Sequence, residues 1–358
     1  MTPSLLYRIL KIYCTTALRC YFKTWQINNV EAIPRTGPVI FIPNHQNAFL
    51  DAILVICSSP RNPWSIARAS VFKDGLITWL LTAIQIKPVF RIRDGWSSLR
   101  NNDAIIQEWS EMLTKGQDIL IFAEGNHNQP YAAGVLQKGF ARMAIQFQKK
   151  DHTPLTIVPV GFHYENHYDF RSRVLVNFGD PIRVNEILKE SHSEREKMEA
   201  LISVTDEALK KLSLAIAPDK AYQSKFQFFV KYRGMEKDMM AQLAADKNLM
   251  KSYPQAPSTP AKIKRNAVVW KLLNPVVWMG YPLHILPYFF IRQFIKRKVK
   301  DPQFISSLKY ALGIFLIPAY YGILLLIFYL FIPNITALFA LAIALPITGI
   351  AATDFLKQ

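Results

Sequence analysis

Val39-Ile40-Phe41-Ile42-Pro43-Asn44-His45-Gln46-Asn47-Ala48-Phe49-Leu50-Asp51 is the stretch on which the fold turns. Its first four residues are an uninterrupted apolar run, three of them β-branched, and read as a strand. Polar residues follow at once, at the strand end where α/β folds present their chemistry. Outward from this point, further short apolar runs recur at 64–67, 87–90, 119–122, 155–160 and 174–178, separated by longer helical patterns. Strands alternating with helices in this way predict an α/β domain. The clearest helix starts at Ser97 or Ser98, carries Leu99, Ile105, Ile106, Trp109 and Leu113 at helical spacing, and stops at Lys115-Gly116. From 185 to 251 the chain is charged and helical without a recognisable task, and the three prolines within 252–260 mark a linker.

Within the opening stretch, His45 and Asp51 are six positions apart. On one ideal helix that spacing leaves them about 120° apart, so the pair meets only if His45 precedes a helix that begins near Asn47. The ring then folds back, the carboxylate holds one nitrogen, and the other is left to exchange a proton. Two later strand ends carry further polar groups: Phe122-Ala123-Glu124-Gly125-Asn126-His127, and Pro88-Val89-Phe90-Arg91 with Arg93 and Asp94 just beyond. Several other chemistries are excluded. There is no GxSxG and no GxGxxG, and Gly134 to Gly139 is followed by Phe140 where a phosphate loop needs lysine. His163 and His167 are four apart but have no third ligand beside them, so no metal is expected. Cys14, Cys20 and Cys57 are odd in number, fit neither a disulfide framework nor a metal spacing, and suit a reducing compartment.

Composition points to lipid. The 358 residues are 51% hydrophobic and only 19% charged, with a net charge of +17, and a surplus of that sign suits an anionic membrane face. No charged residue occurs from 310 to 353, about twice the length of one span, and Pro333-Asn334 divides the run. Residues 311–332 and 335–353 therefore read as a transmembrane hairpin. Arg292, Lys296, Arg297, Lys298, Lys300 and Lys309 crowd its entry and Lys357 follows its exit, so both ends should be cytoplasmic. Residues 272–291 are uncharged but hold Pro275, Pro282 and Pro287, which predicts an interfacial or re-entrant segment. At the other end, Arg8, Lys11, Arg19 and Lys23 alternate with Leu5, Leu6, Ile9, Leu10 and Tyr13 in a basic amphipathic helix. It can lie on a bilayer surface or pack on its own domain.

Taken in order, these blocks resemble those of the glycerolipid acyltransferases, membrane-associated enzymes that acylate glycerol-3-phosphate or lysophosphatidic acid. Asn44, His45 and Asp51 match the NHxxxxD block with one extra intervening residue, an HxxxxxD variant similar to the subgroup containing the fungal glycerol-3-phosphate and dihydroxyacetone-phosphate enzymes. Pro88-Val89-Phe90-Arg91 matches the second block; Phe122, Glu124 and Gly125 match FPEG with Ala123 in place of proline; Ile157-Val158-Pro159-Val160 matches the fourth. The similarity covers about residues 35–180. It implies a mixed sheet flanked by helices, His45 as base with Asp51 behind it, and Arg91, or its rival Arg93, clamping the acceptor phosphate. It also implies that Asn44 belongs to the site, that Glu124 and Gly125 shape the acceptor or oxyanion region, and that Lys138 is a further basic contact. The acyl donor would be acyl-coenzyme A or acyl carrier protein, with no cofactor, and the partners would be membrane lipids and that donor.

The expected organisation is an N-terminal membrane-surface helix (1–34), a catalytic domain (35–220), a charged helical segment and linker (221–260), an interfacial basic region (261–309) and the hairpin (310–358). The expected location is the cytoplasmic face of a membrane, as in a bacterial inner membrane. Two other readings stay open: an acyltransferase for another lipid acceptor, such as an aminolipid, and a non-catalytic protein that binds anionic lipid. Nucleic acid is disfavoured, because the basic residues cluster beside the apolar segments and do not interleave with aromatics along a soluble groove.

Overall fold

The run 39–42 lies at the middle of a sheet because both of its faces are apolar. Val39 and Phe41 pack into one layer of the core and Ile40 and Ile42 into the other. The computed structural model describes residues 4–68, 75–89, 97–125, 129–189, 193–255 and 267–356. In chain order its elements are α1 (Leu5–Tyr21), β1 (Thr24–Asn28), β2 (Val39–Pro43), α2 (Ala48–Ser58), β3 (Trp64–Arg68), α3 (Gly75–Ala83), β4 (Ile86–Val89), α4 (Ser97–Thr114) and β5 (Ile119–Leu120). They continue with α5 (Gly139–Lys150), β6 (Thr156–Tyr164), β7 (Arg173–Phe178), β8 (Ile182–Arg183), α6 (Val184–Ile187), α7 (Glu194–Leu212), α8 (Tyr222–Tyr232) and α9 (Met239–Lys251). Three long helices close the chain: α10 (Ala267–Lys298), α11 (Ile305–Phe331) and α12 (Ile335–Leu356).

The strands form one mixed sheet in the order β1-β7-β6-β2-β5-β3-β4, with β8 also paired to β6. β2 runs parallel to both neighbours, in register from Val39 opposite Thr156 to Pro43 opposite Val160. The direction changes only at β6, which is antiparallel to β7 and β8. β6 overhangs the end of β2 by the four residues 161–164, and that overhang becomes a wall of the site. On one face lie α4, α5 and α7, contributing Trp109, Leu113, Phe140, Phe147 and Leu201; on the other lie α1, α2 and the start of α11, contributing Leu18, Leu50, Leu54 and Tyr310. Burying one such aromatic or leucine side chain is worth about 1.5–3 kcal/mol. The helix expected from Ser97 is α4, and its chain stops at Gly116, whose φ of 70° only glycine adopts freely.

The structure departs from the expected organisation in three places. β1 lies inside the presumed membrane-surface segment, yet it pairs with β7 from Thr24 to Asn28 and belongs to the sheet. A five-residue edge strand with polar Thr24, Gln26 and Asn28 is a weak pattern. The 221–260 segment is no separate unit either: Tyr222, Phe229, Met239 and Leu243 from α8 and α9 join Leu175 and Tyr131 in a third core cluster, and residues 256–260 lie outside the described residues. Finally, α10 is one continuous helix of 32 residues where an interfacial or re-entrant segment was expected. It packs so tightly on α12 that a Cβ on Gly280 would sit 2.7 Å from the Thr348 carbonyl oxygen, and His284 Nε2 lies 2.9 Å from the Tyr321 hydroxyl of α11. The Leu283 carbonyl, which Pro287 leaves without its helical N–H, accepts from the Tyr320 hydroxyl of α11 at 2.7 Å. Among the described residues two helices, Pro302–Phe331 and Ile335–Asp354, are long and apolar enough to cross a membrane. α1 packs on the domain through Tyr7, Leu18 and Tyr21 and leaves Leu5, Ile9 and Ile12 exposed.

Candidate active site

The turn after β2 brings His45 and Asp51 together in the way their spacing demands. α2 begins at Ala48, so His45 stays in the turn and folds back until Nδ1 is 3.0 Å from Asp51 Oδ2. Asp51 is fully buried, and its carboxylate is fixed from several directions. The backbone N–H groups of Gln46 and Asn47 donate to Oδ2 at 2.8 and 2.7 Å, and the Tyr164 hydroxyl donates to Oδ1 at 2.5 Å. A carboxylate surrounded by donors acts as acceptor toward His45 as well, so Nδ1 carries the hydrogen and Nε2 the lone pair. The imidazole stacks on Phe122 at 3.9 Å between ring centres, which sets its plane.

Asn44 turns the chain without ending the ladder. Its N–H donates to the Val160 carbonyl at 3.2 Å and its side-chain oxygen accepts from Phe162 N at 2.7 Å, which carries the pairing onto the β6 overhang. Two residues further along that overhang is Tyr164. Glu124 Oε2 accepts the backbone N–H of His45 at 3.2 Å, and its carboxyl fills the space a side chain on Gly134 would need, since a Cβ there would lie 2.2 Å from Glu124 Cδ. Gly125 follows at φ 67°, the left-handed turn that returns the chain toward α5. Lys138 is exposed at the start of α5. Arg91 and Arg93, like Asn126 and His127, lie outside the described residues.

A second polar cluster backs this one. Asp246 of α9, 1% exposed, accepts from Arg233 at 2.6 Å and from Gln242 at 2.8 Å, and lies 2.8 Å from His163 Nε2. Arg233 donates to the Glu165 carbonyl at 2.6 Å and to the Tyr131 hydroxyl at 3.0 Å, and Tyr131 donates to the Tyr164 carbonyl at 2.6 Å. His167 Nε2 donates to Gln46 Oε1 at 2.7 Å. Burial pushes the His167 imidazole down to about 3 and lowers His163 as well, although Asp246 opposes that shift. Burial next to the Asp51 carboxylate holds the Tyr164 phenol far above its ordinary range, so it remains a donor. His163 and His167 thus serve different partners, and among the described residues no group of three or more His, Cys, Asp or Glu could hold a metal. Tyr164, Gln46 and the Arg233–Asp246 pair were missed from the sequence. The one available signal was Tyr164's position just after the Val-Pro-Val strand, in the His163-Tyr164-Glu165-Asn166-His167 run.

A buried carboxyl orienting an imidazole at the end of a central parallel strand is an arrangement that can move a proton at the histidine. Residues 25–163, which include His45, Asp51 and Glu124, match the family model described as Acyltransferase. By that match they resemble an acyltransferase domain. Over 116 residues the chain is 30% identical to glycerol-3-phosphate O-acyltransferase 1 of Saccharomyces cerevisiae, covering 32% of this chain and 15% of that protein. Over 104 residues it is 30% identical to an uncharacterized acyltransferase of Schizosaccharomyces pombe, covering 28% of this chain and 15% of the relative. The chain thus matches about 15% of the length of these curated relatives. The crystal structure of the 1-acyl-sn-glycerophosphate acyltransferase PlsC from Thermotoga maritima superposes with a TM-score of 0.40 and 17% identity, covering 57% of this chain and 79% of that one.

Proposed function

We propose that the protein is a membrane-bound O-acyltransferase that moves a fatty acyl group from a thioester, acyl-coenzyme A or acyl carrier protein, to a hydroxyl of glycerol-3-phosphate or lysophosphatidic acid. The observation that carries this reading is the His45–Asp51 pair, with Nδ1 held at 3.0 Å and Nε2 left as the basic nitrogen. In the reaction, Nε2 takes the proton of the acceptor hydroxyl as that oxygen attacks the thioester carbonyl. Asp51 holds the tautomer and stabilises the imidazolium. The tetrahedral centre collapses, the C–O bond of the ester stays, the C–S bond breaks, and the departing thiolate takes the proton back from His45. A thiolate leaves readily, so one base suffices and the step needs neither a protein nucleophile nor a cofactor.

Arg91 or Arg93 would clamp the acceptor phosphate, with Lys138 as a further basic contact. Glu124 and Asn44 act in this scheme by fixing the backbone that leads into His45. Membrane lipids are the natural partners, because the product belongs in the bilayer and the donor is anionic and water-soluble; the catalytic face is then cytoplasmic. The test is transfer of labelled acyl groups from both donors to glycerol-3-phosphate, dihydroxyacetone phosphate and lysophosphatidate. His45→Ala is expected to lower transfer to the true acceptor by at least about a hundredfold. If wild type transfers to none of them, the glycerol phosphate reading fails, and an aminolipid acceptor or a lipid-binding role takes its place.

A further inference from the structure

α2 carries Asp51, and its first turn lacks a cap of its own. The N-cap residue Asn47 makes no side-chain capping bond. One of the N–H groups that a helix start leaves short of partners is met from elsewhere. Leu50 N–H, the third of the helix, donates to Ser307 Oγ at 3.0 Å as well as to the Asn47 carbonyl at 3.1 Å, and Ser307 Oγ donates to the same carbonyl at 2.6 Å. A hydroxyl that accepts from the third N–H does what an N-cap serine does. Here it comes from a residue 257 positions away in the chain, on the first turn of α11, the helix that runs on into the apolar hairpin. Ser307 is fully buried.

The Asn47 peptide is consequently gripped from two sides, its N–H by Asp51 and its carbonyl by Ser307. The next residue, Ala48, sits at φ 45°, in the left-handed region that an alanine enters only at a cost of order 1 kcal/mol. Such a turn persists when its surroundings over-determine it. The turn of α11 that reaches in is itself anchored independently of α2: the Tyr21 hydroxyl lies 2.7 Å from Ser306 Oγ, Lys309 donates to the Tyr168 carbonyl at 2.6 Å, and Tyr310 donates to the Cys14 carbonyl at 3.0 Å.

We propose that Ser307 is a positioning residue, the N-cap of the active-site helix supplied by the membrane hairpin, so that the geometry of His45 and Asp51 depends on how the hairpin is seated. The proposal rests on the reading of His45 as the base. It separates a hairpin that merely tethers the enzyme to lipid from one that completes its site.

The test compares Ser307→Ala with Ser306→Ala in the full chain reconstituted in nanodiscs. The two serines are adjacent and equally buried, but only Ser307 touches the active-site turn. Ser307→Ala is expected to lower kcat about tenfold with KM within about twofold, and to shift the acid limb of the kcat profile. Ser306→Ala is expected to lower the melting temperature comparably while leaving kcat and its pH profile within about twofold of wild type. Equal effects of the two variants on kcat, or a Ser307→Ala enzyme that matches wild type, would overturn the proposal. Should Ser307→Ala fail to fold, Ser307→Thr and Ser307→Val, which differ only in the hydroxyl, carry the same comparison. Should wild type transfer no acyl group, the reaction reading falls and the pair is judged on the pH dependence of His45 carbethoxylation, read by peptide mass spectrometry. Ser307→Ala must then move that profile and Ser306→Ala must not.

Discussion

His167 shows how a single buried side chain ties the site to pH. It is held neutral by burial, with its pKa near 3, and it donates to Gln46, the residue whose own N–H donates to Asp51. In the unfolded chain it titrates near 6.5. Between those values the unfolded state binds a proton that the folded state does not, so stability is complete above about pH 6.5 and drains as pH falls toward 3, by up to about 1.4 kcal/mol per unit. His167→Gln keeps a donor for Gln46 and cannot titrate. Denaturant unfolding at pH 7 and pH 5 should show a smaller loss for the variant than for wild type; an equal loss would mean that His167 is not buried neutral. His45 and Asp51 were legible because a hydrogen-bonded pair at the end of a strand has a spacing, and the spacing has a geometrical consequence. Tyr164 was not legible. Its hydroxyl reaches Asp51 across 113 residues of sequence, and only the overhang of β6 beyond β2 makes that distance short. His163 lies in the strand 156–164 and His167 beyond its end, so the two imidazoles meet different partners, Asp246 and Gln46.

Most strands announced themselves as apolar runs, and α4 by its period and its glycine stop; β1 and β8 did not, being short and partly polar. The larger gap concerned α8 and α9, which read as a charged segment. Their role rests on a few residues that face inward. Arg233 and Asp246 form a pair at 2.6 Å, side chains 9% and 1% exposed, behind the strand that carries Tyr164. A pair so buried is costly to break from one side, because the remaining charge stays in the interior without its counter-ion. Arg233→Met and Asp246→Asn are each expected to lower stability by about 3–5 kcal/mol. The double variant should lose markedly less than the sum of the two, a coupling that a double-mutant cycle on denaturant unfolding measures. Additive losses would show that the pair is not a unit and that α9 is held by its apolar contacts with Leu175 and Tyr131 alone.

At the scale of the molecule, both ends of the hairpin are fastened to the catalytic body. Lys309 at the start of α11 donates to the Tyr168 carbonyl, and near the end of α12 the two carboxylate oxygens of Asp354 accept from Arg171, each at 2.9 Å. A hairpin fixed at both ends to one body has its tip, the Pro333-Asn334 turn, at the far end of both helices, about 30–40 Å away for helices of this length. Leu330 and Phe331, next to that tip, are the two most exposed large apolar side chains of the hairpin, and no charge accompanies them. The basic residues gather at the opposite end, Arg292 to Lys300 on and after α10 and Lys309 on α11, which is the distribution that orients a membrane protein with that end in the cytoplasm. If the hairpin spans the bilayer, the tip and the catalytic body are on opposite sides. In a background with Cys14, Cys20 and Cys57 replaced by serine, a single cysteine introduced by Asn334→Cys or by Lys220→Cys can be probed with a membrane-impermeant maleimide. Sealed inside-out vesicles, whose outer surface was the cytoplasmic face, should label Lys220→Cys without permeabilisation and Asn334→Cys only after it. Labelling of both from the outside would mean that the hairpin lies along the surface, and the exposed stripe of Leu5, Ile9 and Ile12 on α1 would then share one interfacial plane with it.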